Sequence, residues 1–294
     1  MIKNYLTVAF RTFRRNKIFS RVNILGLAIG LAAFWRIALY VGNELSYDNY
    51  HVNAKRIFRV AQHLNWDGGK LNLAPTSAPI ASALKNDYPE IQETVRFDTE
   101  GGGTISNGDQ QLQADDIFFP DKTVFKIFSY HFLYGDAATA LAKPQSIVLT
   151  KTLAKKLFGD PALALNKTVN FGPGNSNNVT GVIDDVPVNS HFTFSALRSL
   201  PDNFAGTWDQ SYLYTYILLK ENANIKKLEL KLPSFFEKHL KAVLGKVDYR
   251  MELQPLRSIH LHSNLDYEIS ANGNINYIYI LSLIAVLILI IASI

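Results

Sequence analysis

Two long apolar runs, one near each end of the chain, place the strongest limit on how this sequence can fold. Residues 22–42 form a run of 21 residues in which Arg36 is the single charge. As a helix this run would measure about 31 Å, enough to cross a hydrocarbon core of about 30 Å. Residues 277–294 form a second run, of 18 residues, that contains no charge. The sequence therefore predicts membrane-spanning helices at residues 22–43 and 276–294.

The positive charge of the chain lies at its start. Residues 1–43 carry a formal charge of +7 and contain no Asp or Glu, whereas residues 44–275 carry −2. A basic segment before an apolar run is typical of the cytoplasmic side of a membrane helix. A nucleic-acid-binding module would instead spread its positive charge over a folded face. We therefore expect a cytoplasmic N-terminus, an extracytoplasmic segment over residues 44–275 and no nucleic-acid partner.

The first 21 residues have the pattern of a basic amphipathic helix. Ile2, Tyr5, Leu6, Ala9, Phe10 and Phe13 recur at the spacing of one helix face, and most of the basic residues lie elsewhere on the wheel. Such a helix lies in the membrane interface against anionic lipid. An unstructured basic tail is the alternative. A cleaved signal peptide fits poorly, because bulky residues follow the small ones where a cleavage site would lie.

Three residues of the first span are candidates for helix packing. Gly26 and Gly30 form a GxxxG pair, which lets a second helix approach closely. Glycine is also common in membrane helices without such a role. Arg36 is expensive to expose to lipid, so we expect it at a helix–helix contact. A side chain that reaches the headgroups or the base of the extracytoplasmic segment is the alternative.

The middle of the chain mixes strands and helices without a strict alternation. Alternating or continuous apolar runs predict strands at residues 57–64, 91–97, 146–150, 168–171, 179–186, 212–220 and 249–256. Helical patterns predict helices at residues 78–87, 151–158 and 225–244. We therefore expect an α+β fold for residues 44–275. No linker-like composition separates this segment from the spans, so a stiff connection is expected.

Motifs that carry chemistry are missing from the sequence. It has no cysteine and no match to the phosphate-binding P-loop, to G-x-S-x-G or to H-E-x-x-H. His260 and His262 would share one face of a strand, but no third metal ligand is visible near them. Asp184 and Asp185 would point to opposite faces of a strand, and residues 189–191 have the pattern of a turn. Glu44 and Asp48 would orient the exit of the first span. We predict no catalytic residue, metal site or cofactor, and hence no enzyme.

Several blocks of sequence, in order, resemble the permeases of MacB/FtsX-like ABC transporters of Bacteroidetes. The resemblance covers essentially the whole chain. Its blocks are KNYLTVAFRTFRRNKIFSRVNILGLAIGLA (3–32), ELSYDNYHVNAKRIFRV (44–60), PQSIVLTKTLAKKLFG (144–159), VTGVIDDVPVNSHF (179–192), PLRSIHLHS (255–263) and GNINYIYI (273–280). Arg36 departs from the pattern, since relatives usually carry an apolar residue there.

The resemblance implies a periplasmic core domain over residues 44–275, with a porter-like part and an inserted distal part, in the inner membrane. It implies a permease of the MacB/FtsX/LolCE type, driven by a separate ABC ATPase subunit, dimeric with a second permease protomer, and acting in export or extraction. Periplasmic or outer-membrane partner proteins also fit that class. Relatives continue with further spans, so we expect this chain to be an N-terminal fragment. A two-span membrane sensor or scaffold is the alternative function.

Overall fold

The computed structural model describes residues 11, 15, 17–108, 110–172, 174–201, 204 and 206–293. Two compact units make up the chain. The apolar unit comprises Met1–Ser46 and Gly273–Ile294, and the central unit comprises Tyr47–Asn272. Most of the amphipathic helix expected over residues 1–21 lies outside the described residues, and the bounds of the four segments drawn from the sequence stay predictions.

Helices and strands alternate irregularly along the described residues. The α-helices are Lys17–Leu45 (α1), Pro79–Asp87 (α2), Val124–Ile127 (α3), Lys151–Phe158 (α4), Ile225–Glu229 (α5), Leu232–Phe235 (α6), Lys241–Leu244 (α7), Ile259–His262 (α8) and Ile275–Ser293 (α9). The strands are Ile57–Trp66 (β1), Gly69–Leu73 (β2), Thr76–Ser77 (β3), Ile91–Asp98 (β4), Gly103–Ser106 (β5), Gln111–Ala114 (β6), Ile117–Pro120 (β7), Phe132–Gly135 (β8), Ser146–Thr150 (β9), Thr168–Asn170 (β10), Ser176–Ile183 (β11), Ala196–Arg198 (β12), Ser211–Leu219 (β13) and Asp248–Pro255 (β14).

The apolar unit contains the two helices expected from the hydropathy of the sequence. By length and composition, α1 and α9 can each cross a membrane. Only Gly30 of α1 and Ile278 and Ala285 of α9 are buried among the described residues. Helices that are apolar on every side and exposed along their length are unfavourable in water. This exposure distinguishes them from the buried core helices of a soluble protein, and both are candidate transmembrane helices.

One continuous sheet runs through the central unit. Its order is β14–β1–β13–β4–β7–β12–β9–β11–β10–β5–β6, and β2, β3 and β8 pair with β1, β13 and β11 beside this path. The pairs β7–β12 and β9–β11 are parallel, and the other neighbours are antiparallel. A mixed sheet with helices at irregular intervals is an α+β fold. The fold class expected from the sequence is confirmed.

Local sequence signals explain α4, the helix that follows the buried strand β9. The side chain of Thr150 accepts a hydrogen bond from the backbone of Leu153 and so caps the helix start. Gly159 follows the last turn with φ +79°, a conformation that glycine adopts without steric cost. These two end signals give α4 the bounds that the sequence predicts.

The helix expected over residues 225–244 is not continuous, so that prediction is wrong. The structure breaks the segment into α5, α6, a π-helical turn at Phe236–Leu240, and α7. Pro233 stands in the first turn of α6. Proline has no N–H to donate and its ring clashes with the preceding turn, so a helix cannot run through it undisturbed. The apolar residues that recur at helical spacing along this segment still face inward, and three of them are buried: Leu228, Leu232 and Phe235.

An aromatic core lies under the middle of the sheet and supports the candidate site. Phe97, Phe128, Phe192 and Tyr216 are buried, and their ring centroids lie 5.3–5.7 Å apart in five of the six pairs. Such pairs contribute about 0.5–1.5 kcal/mol each beyond the burial of their area. Phe97 comes from β4 and Tyr216 from the adjacent strand β13. This core therefore fixes the position of Tyr216, which hydrogen-bonds to the candidate site.

Candidate functional site

The central unit begins with a tight turn that has a buried aspartate at its middle. Helix α1 ends at Leu45, and Asp48 is fully buried with φ +58°. A non-glycine residue in this left-handed region costs of order 1–3 kcal/mol and persists only where its surroundings fix it. The backbone N–H of Asp48 donates to the carbonyl oxygen of Asn189 at 2.9 Å. Glu44 lies on α1 and Asp48 lies beyond its end, so the two do not share a helix face.

The carboxylate of Asp48 is the centre of what we call the entry network: Asp48, Ser190, His191 and Tyr216. Its Oδ1 accepts from the Ser190 hydroxyl at 3.1 Å and from the His191 backbone N–H at 3.2 Å. Its Oδ2 lies 3.0 Å from Nδ1 of His191, and Nε2 of His191 lies 2.8 Å from the hydroxyl of Tyr216. Burial opposes the charged carboxylate, but the charge and hydrogen bonds of His191 outweigh it and lower the pKa of Asp48. The carboxylate is therefore ionised at neutral pH.

The entry network contains serine, histidine and aspartate but lacks the geometry of a catalytic triad. A nucleophilic serine needs its hydroxyl on the imidazole that is to take its proton. Here the Ser190 hydroxyl donates to Asp48, and Nε2 of His191 is occupied by Tyr216. The side chains of Ser190 and His191 are also buried. Residues 189–191 are thus more than the turn expected from the sequence, since two of them hold the carboxylate of Asp48 in place.

A second buried cluster, the exit network, consists of Arg59, Gln254, Ser263 and Glu268. The guanidinium of Arg59 is fully buried and makes a two-pronged ion pair with both carboxylate oxygens of Glu268. Its Nη2 also donates to Gln254 at 2.6 Å and to the Ser263 hydroxyl at 2.7 Å. Burial raises the pKa of Glu268, but Arg59 more than offsets this and leaves it lowered. The cluster therefore holds residues 263–268, near the end of the central unit, against β1.

Two further hydrogen bonds hold the last residues of the central unit. The hydroxyl of Ser270, beside the exit network, donates to the carbonyl oxygen of His191 in the entry network. The amide of Asn272, the last residue of the central unit, donates to the carbonyl oxygen of Ser263 at 3.3 Å. Asp48, near the start of the central unit, and Ser270, near its end, therefore both bond to His191.

The two histidines that the sequence places on a strand lie instead on the short helix α8. Residues two apart on a helix are about 200° apart around its axis, so His260 and His262 face different directions. The ring of His260 is buried and stacks on Tyr47 with centroids 3.4 Å apart and planes within 1°. The strand assignment is wrong, and His260 packs the start of the central unit. Among the described residues no group of three or more His, Cys, Asp and Glu could hold a metal ion.

Asp184 and Asp185 follow the end of β11, so the prediction that they lie within a strand is wrong. Asp184 pairs with Nδ1 of His131 at 2.7 Å. Asp185 accepts from both the backbone N–H and the hydroxyl of Thr152, at 2.9 and 2.8 Å, in the first turn of α4. The two carboxylates serve separate structural contacts and do not form a pair.

The three helix-packing candidates differ in their surroundings. A Cβ atom added at Gly30 would lie 2.5 Å from the Cβ of Ala292 on α9, whereas one added at Gly26 would meet nothing within 4 Å. Arg36 is exposed on α1 and makes no hydrogen bond or ion pair with the residues that the structure describes. Close approach to α9 thus depends on Gly30, and the packing roles of Gly26 and Arg36 stay predictions.

We expect Gly30→Leu to push α1 and α9 apart and Gly26→Leu to leave them in place. The added side chain at Gly30 would overlap Ala292, whose Cβ is fixed to the helix backbone and cannot turn away. Spin labels on cysteines at the exposed positions Leu25 and Leu287 measure the separation in a chain that has no cysteine of its own. Equal separations in the two variants would show that this contact does not set the packing of α1 and α9.

The sequence interpretation missed Arg59 and Glu268. One signal was present, since Arg59 is a charged residue between apolar neighbours in a strand that reads Ile-Phe-Arg-Val-Ala. A charge in a buried strand requires a partner. The partner lies 209 residues further along the chain, and no local pattern identifies it.

The family model of the MacB-like periplasmic core domain matches residues 20–234. The chain is similar to the crystal structure of a domain from Porphyromonas gingivalis whose parent protein is assigned as a permease, with a TM-score of 0.62 and 18% identity over 78% of this chain and 98% of that one. It also matches the periplasmic region of MacB from Actinobacillus actinomycetemcomitans, with a TM-score of 0.48 and 16% identity over 68% of this chain and 89% of that one. No curated protein matches.

Proposed function

The chain belongs to the family of the MacB-like periplasmic core domain, a family of ABC-transporter permease components, and we propose that it passes mechanical movement between membrane helices and a periplasmic domain. In this proposal α1 and α9 are the spans and residues 47–272 are the periplasmic domain. The domain moves when a separate cytoplasmic ATPase subunit hydrolyses ATP. Its movement then serves the export or extraction of a substrate.

The observation that carries this proposal is the anchoring of both chain ends of the central unit. Two residues separate Leu45, the last residue of α1, from the buried Asp48. At the other end, two residues separate Asn272, which bonds to Ser263, from Ile275, the first residue of α9. With a flexible linker, a displacement of the helices would change the conformation of the linker and leave the domain where it was. Short connections that end in buried networks would instead pass the displacement into the domain.

The partners follow from the same proposal. The sequence has no P-loop, so the energy source is a partner subunit that binds ATP. A second permease protomer, the lipid of the inner membrane, and periplasmic or outer-membrane proteins complete the expected assembly. The N-terminus is cytoplasmic in this arrangement, in keeping with the +7 charge of residues 1–43.

Purification of the chain from its native membranes tests the proposal. We expect an ATPase subunit with a P-loop to co-purify, and we expect the ATPase activity of the preparation to disappear when that subunit is removed. Saturable ATP hydrolysis by the chain alone would contradict a separate energy source. Recovery of a signalling kinase in place of an ATPase would favour the alternative function, a two-span sensor.

Cysteine labelling in intact cells tests the orientation. The chain has no cysteine, so each introduced thiol is the only one. We expect a membrane-impermeant thiol reagent to label Asn65→Cys, in the exposed end of β1, and to spare Asn4→Cys until the membrane is permeabilised. Labelling of Asn4→Cys but not of Asn65→Cys in intact cells would indicate the opposite orientation.

A further inference from the structure

A basic cavity of about 390 Å³ lies in the central unit, beside the entry network. Asn49, residues 51–56 and Arg257 contribute its walls. The basic residues Lys55, Arg56 and Arg257 are part of the lining, and none of the described lining residues is acidic. The volume is near the lower end of the range for ligand pockets, about 300–1,000 Å³. The cavity therefore has room for a small anionic group.

The three cations of this cavity are not neutralised by carboxylates. Lys55 and Arg257 are exposed and form no ion pair with the described residues. Arg56 donates only to neutral oxygens, those of Asn53, Gln92 and Leu219 at 2.6–3.2 Å, within the described part of the chain. Elsewhere in the central unit, the buried Arg59 has a carboxylate partner. Three unneutralised cations around one cavity favour an anion there.

His51 adds an unsatisfied donor to the wall of the cavity. Its ring is buried, and Nδ1 accepts from the backbone N–H of Ser129 at 3.0 Å. The proton of the neutral ring therefore sits on Nε2, a buried atom without a hydrogen-bond partner among the described residues. Burial lowers the pKa of His51 to about 4, so the ring is neutral at pH 7. A buried donor without a partner is costly, and this one belongs to a residue that lines the cavity together with the three cations.

We propose that this cavity binds a phosphate group, and that the phosphate belongs to the headgroup of an anionic phospholipid. Phosphate oxygens suit lysine, arginine and imidazole N–H donors. Two observations favour a lipid over free phosphate as the source. Val52, on the wall of the cavity, is 86% exposed, and an apolar side chain among cations is typical of a surface that meets a membrane interface. In the sequence, Asn49 stands four residues after the end of α1, a candidate membrane span.

Native mass spectrometry of the full chain tests this site. The chain is released from micelles that contain equimolar phosphatidylglycerol and phosphatidylcholine, and the retained lipids are counted. We expect the unmodified chain to retain phosphatidylglycerol in preference to phosphatidylcholine. The double variant Lys55→Gln/Arg257→Gln should bind phosphatidylglycerol at least about tenfold more weakly, because two charge-assisted contacts are lost.

A matched control and a competitor separate the outcomes. Lys143→Gln/Lys246→Gln removes the same charge from exposed positions outside the cavity and should retain phosphatidylglycerol like the unmodified chain. Equal retention by the Lys55/Arg257 variant and the unmodified chain would overturn the site. If inorganic phosphate displaces the lipid at concentrations similar to that of the lipid itself, the lipid source is overturned and the site is one for free phosphate. Both variants change exposed side chains, and thermal unfolding verifies that they are folded.

Discussion

Replacement of Asp48 by alanine is expected to lower the free energy of unfolding of the central unit by about 3–5 kcal/mol, the cost of breaking a buried charged pair. Three hydrogen bonds from Ser190 and His191 lose their acceptor. The left-handed backbone at residue 48 also loses the contacts that hold it. For a unit of this size, such a loss lowers the melting temperature by roughly 6–20 °C.

Thermal unfolding of the detergent-solubilised chain, followed by circular dichroism, measures this effect. Asp67→Ala is the matched control, since it removes an exposed aspartate from the same unit and should change stability by less than about 0.5 kcal/mol. Asp48→Asn keeps the size of the side chain and one acceptor oxygen, so it should fall between the two. An Asp48→Ala variant that melts with the Asp67→Ala control would show that the entry network does not anchor the chain.

Replacement of Arg59 by methionine is expected to destabilise the central unit by a similar amount, about 3–5 kcal/mol, because the carboxylate of Glu268 is left without its buried cation. The exposed pair of Arg250 and Glu252 provides the control, with an N···O distance of 3.5 Å. Arg250→Met should cost less than about 1 kcal/mol, as exposed ion pairs usually do. Chemical denaturation of the two variants gives the comparison.

A double-mutant cycle shows how the Arg59–Glu268 pair stabilises the fold. The Nε atom of Arg59 is buried without a hydrogen-bond partner among the described residues, so the ion pair leaves one donor unsatisfied. We therefore expect Arg59→Met/Glu268→Leu to recover much of the stability that Arg59→Met alone loses, since no charge remains buried without a partner. Additive losses in the double variant would contradict this account and assign separate roles to the two residues.

Much of the regular structure follows from local patterns. The strand expected at residues 146–150 and the helix at residues 151–158 have the predicted bounds, because a continuous apolar run, a threonine cap and a closing glycine all occur within the segment. The sequence missed seven strands of two to five residues each, since runs this short carry little periodic pattern: β2, β3, β5, β6, β7, β8 and β12. The helix over residues 225–244 was predicted too long because its apolar stripe continues across Pro233.

The candidate site could not be derived in the same way. The blocks that resemble the permease family do include its residues, since Asp48, His191 and His260 stand in three of them. However, Asp48 meets His191 across 143 residues, and Arg59 meets Glu268 across 209. A hydrogen bond depends on a donor–acceptor distance near 3 Å and on the angle at the donor hydrogen. The spacing of residues along the chain specifies neither quantity.

The sequence by itself determined that this chain has two apolar segments long enough to span a membrane, a basic start and an α+β middle. Those properties depend on hydrophobicity, charge and periodicity. All three can be assessed from residues that are neighbours in the sequence, without knowledge of the fold. The tertiary structure alone decided that Asp48 meets His191 in one buried network and that Arg59 meets Glu268 in another. Burial made the difference, because a charge that water would solvate on a surface must find its partner inside the protein, however distant that partner is in the sequence.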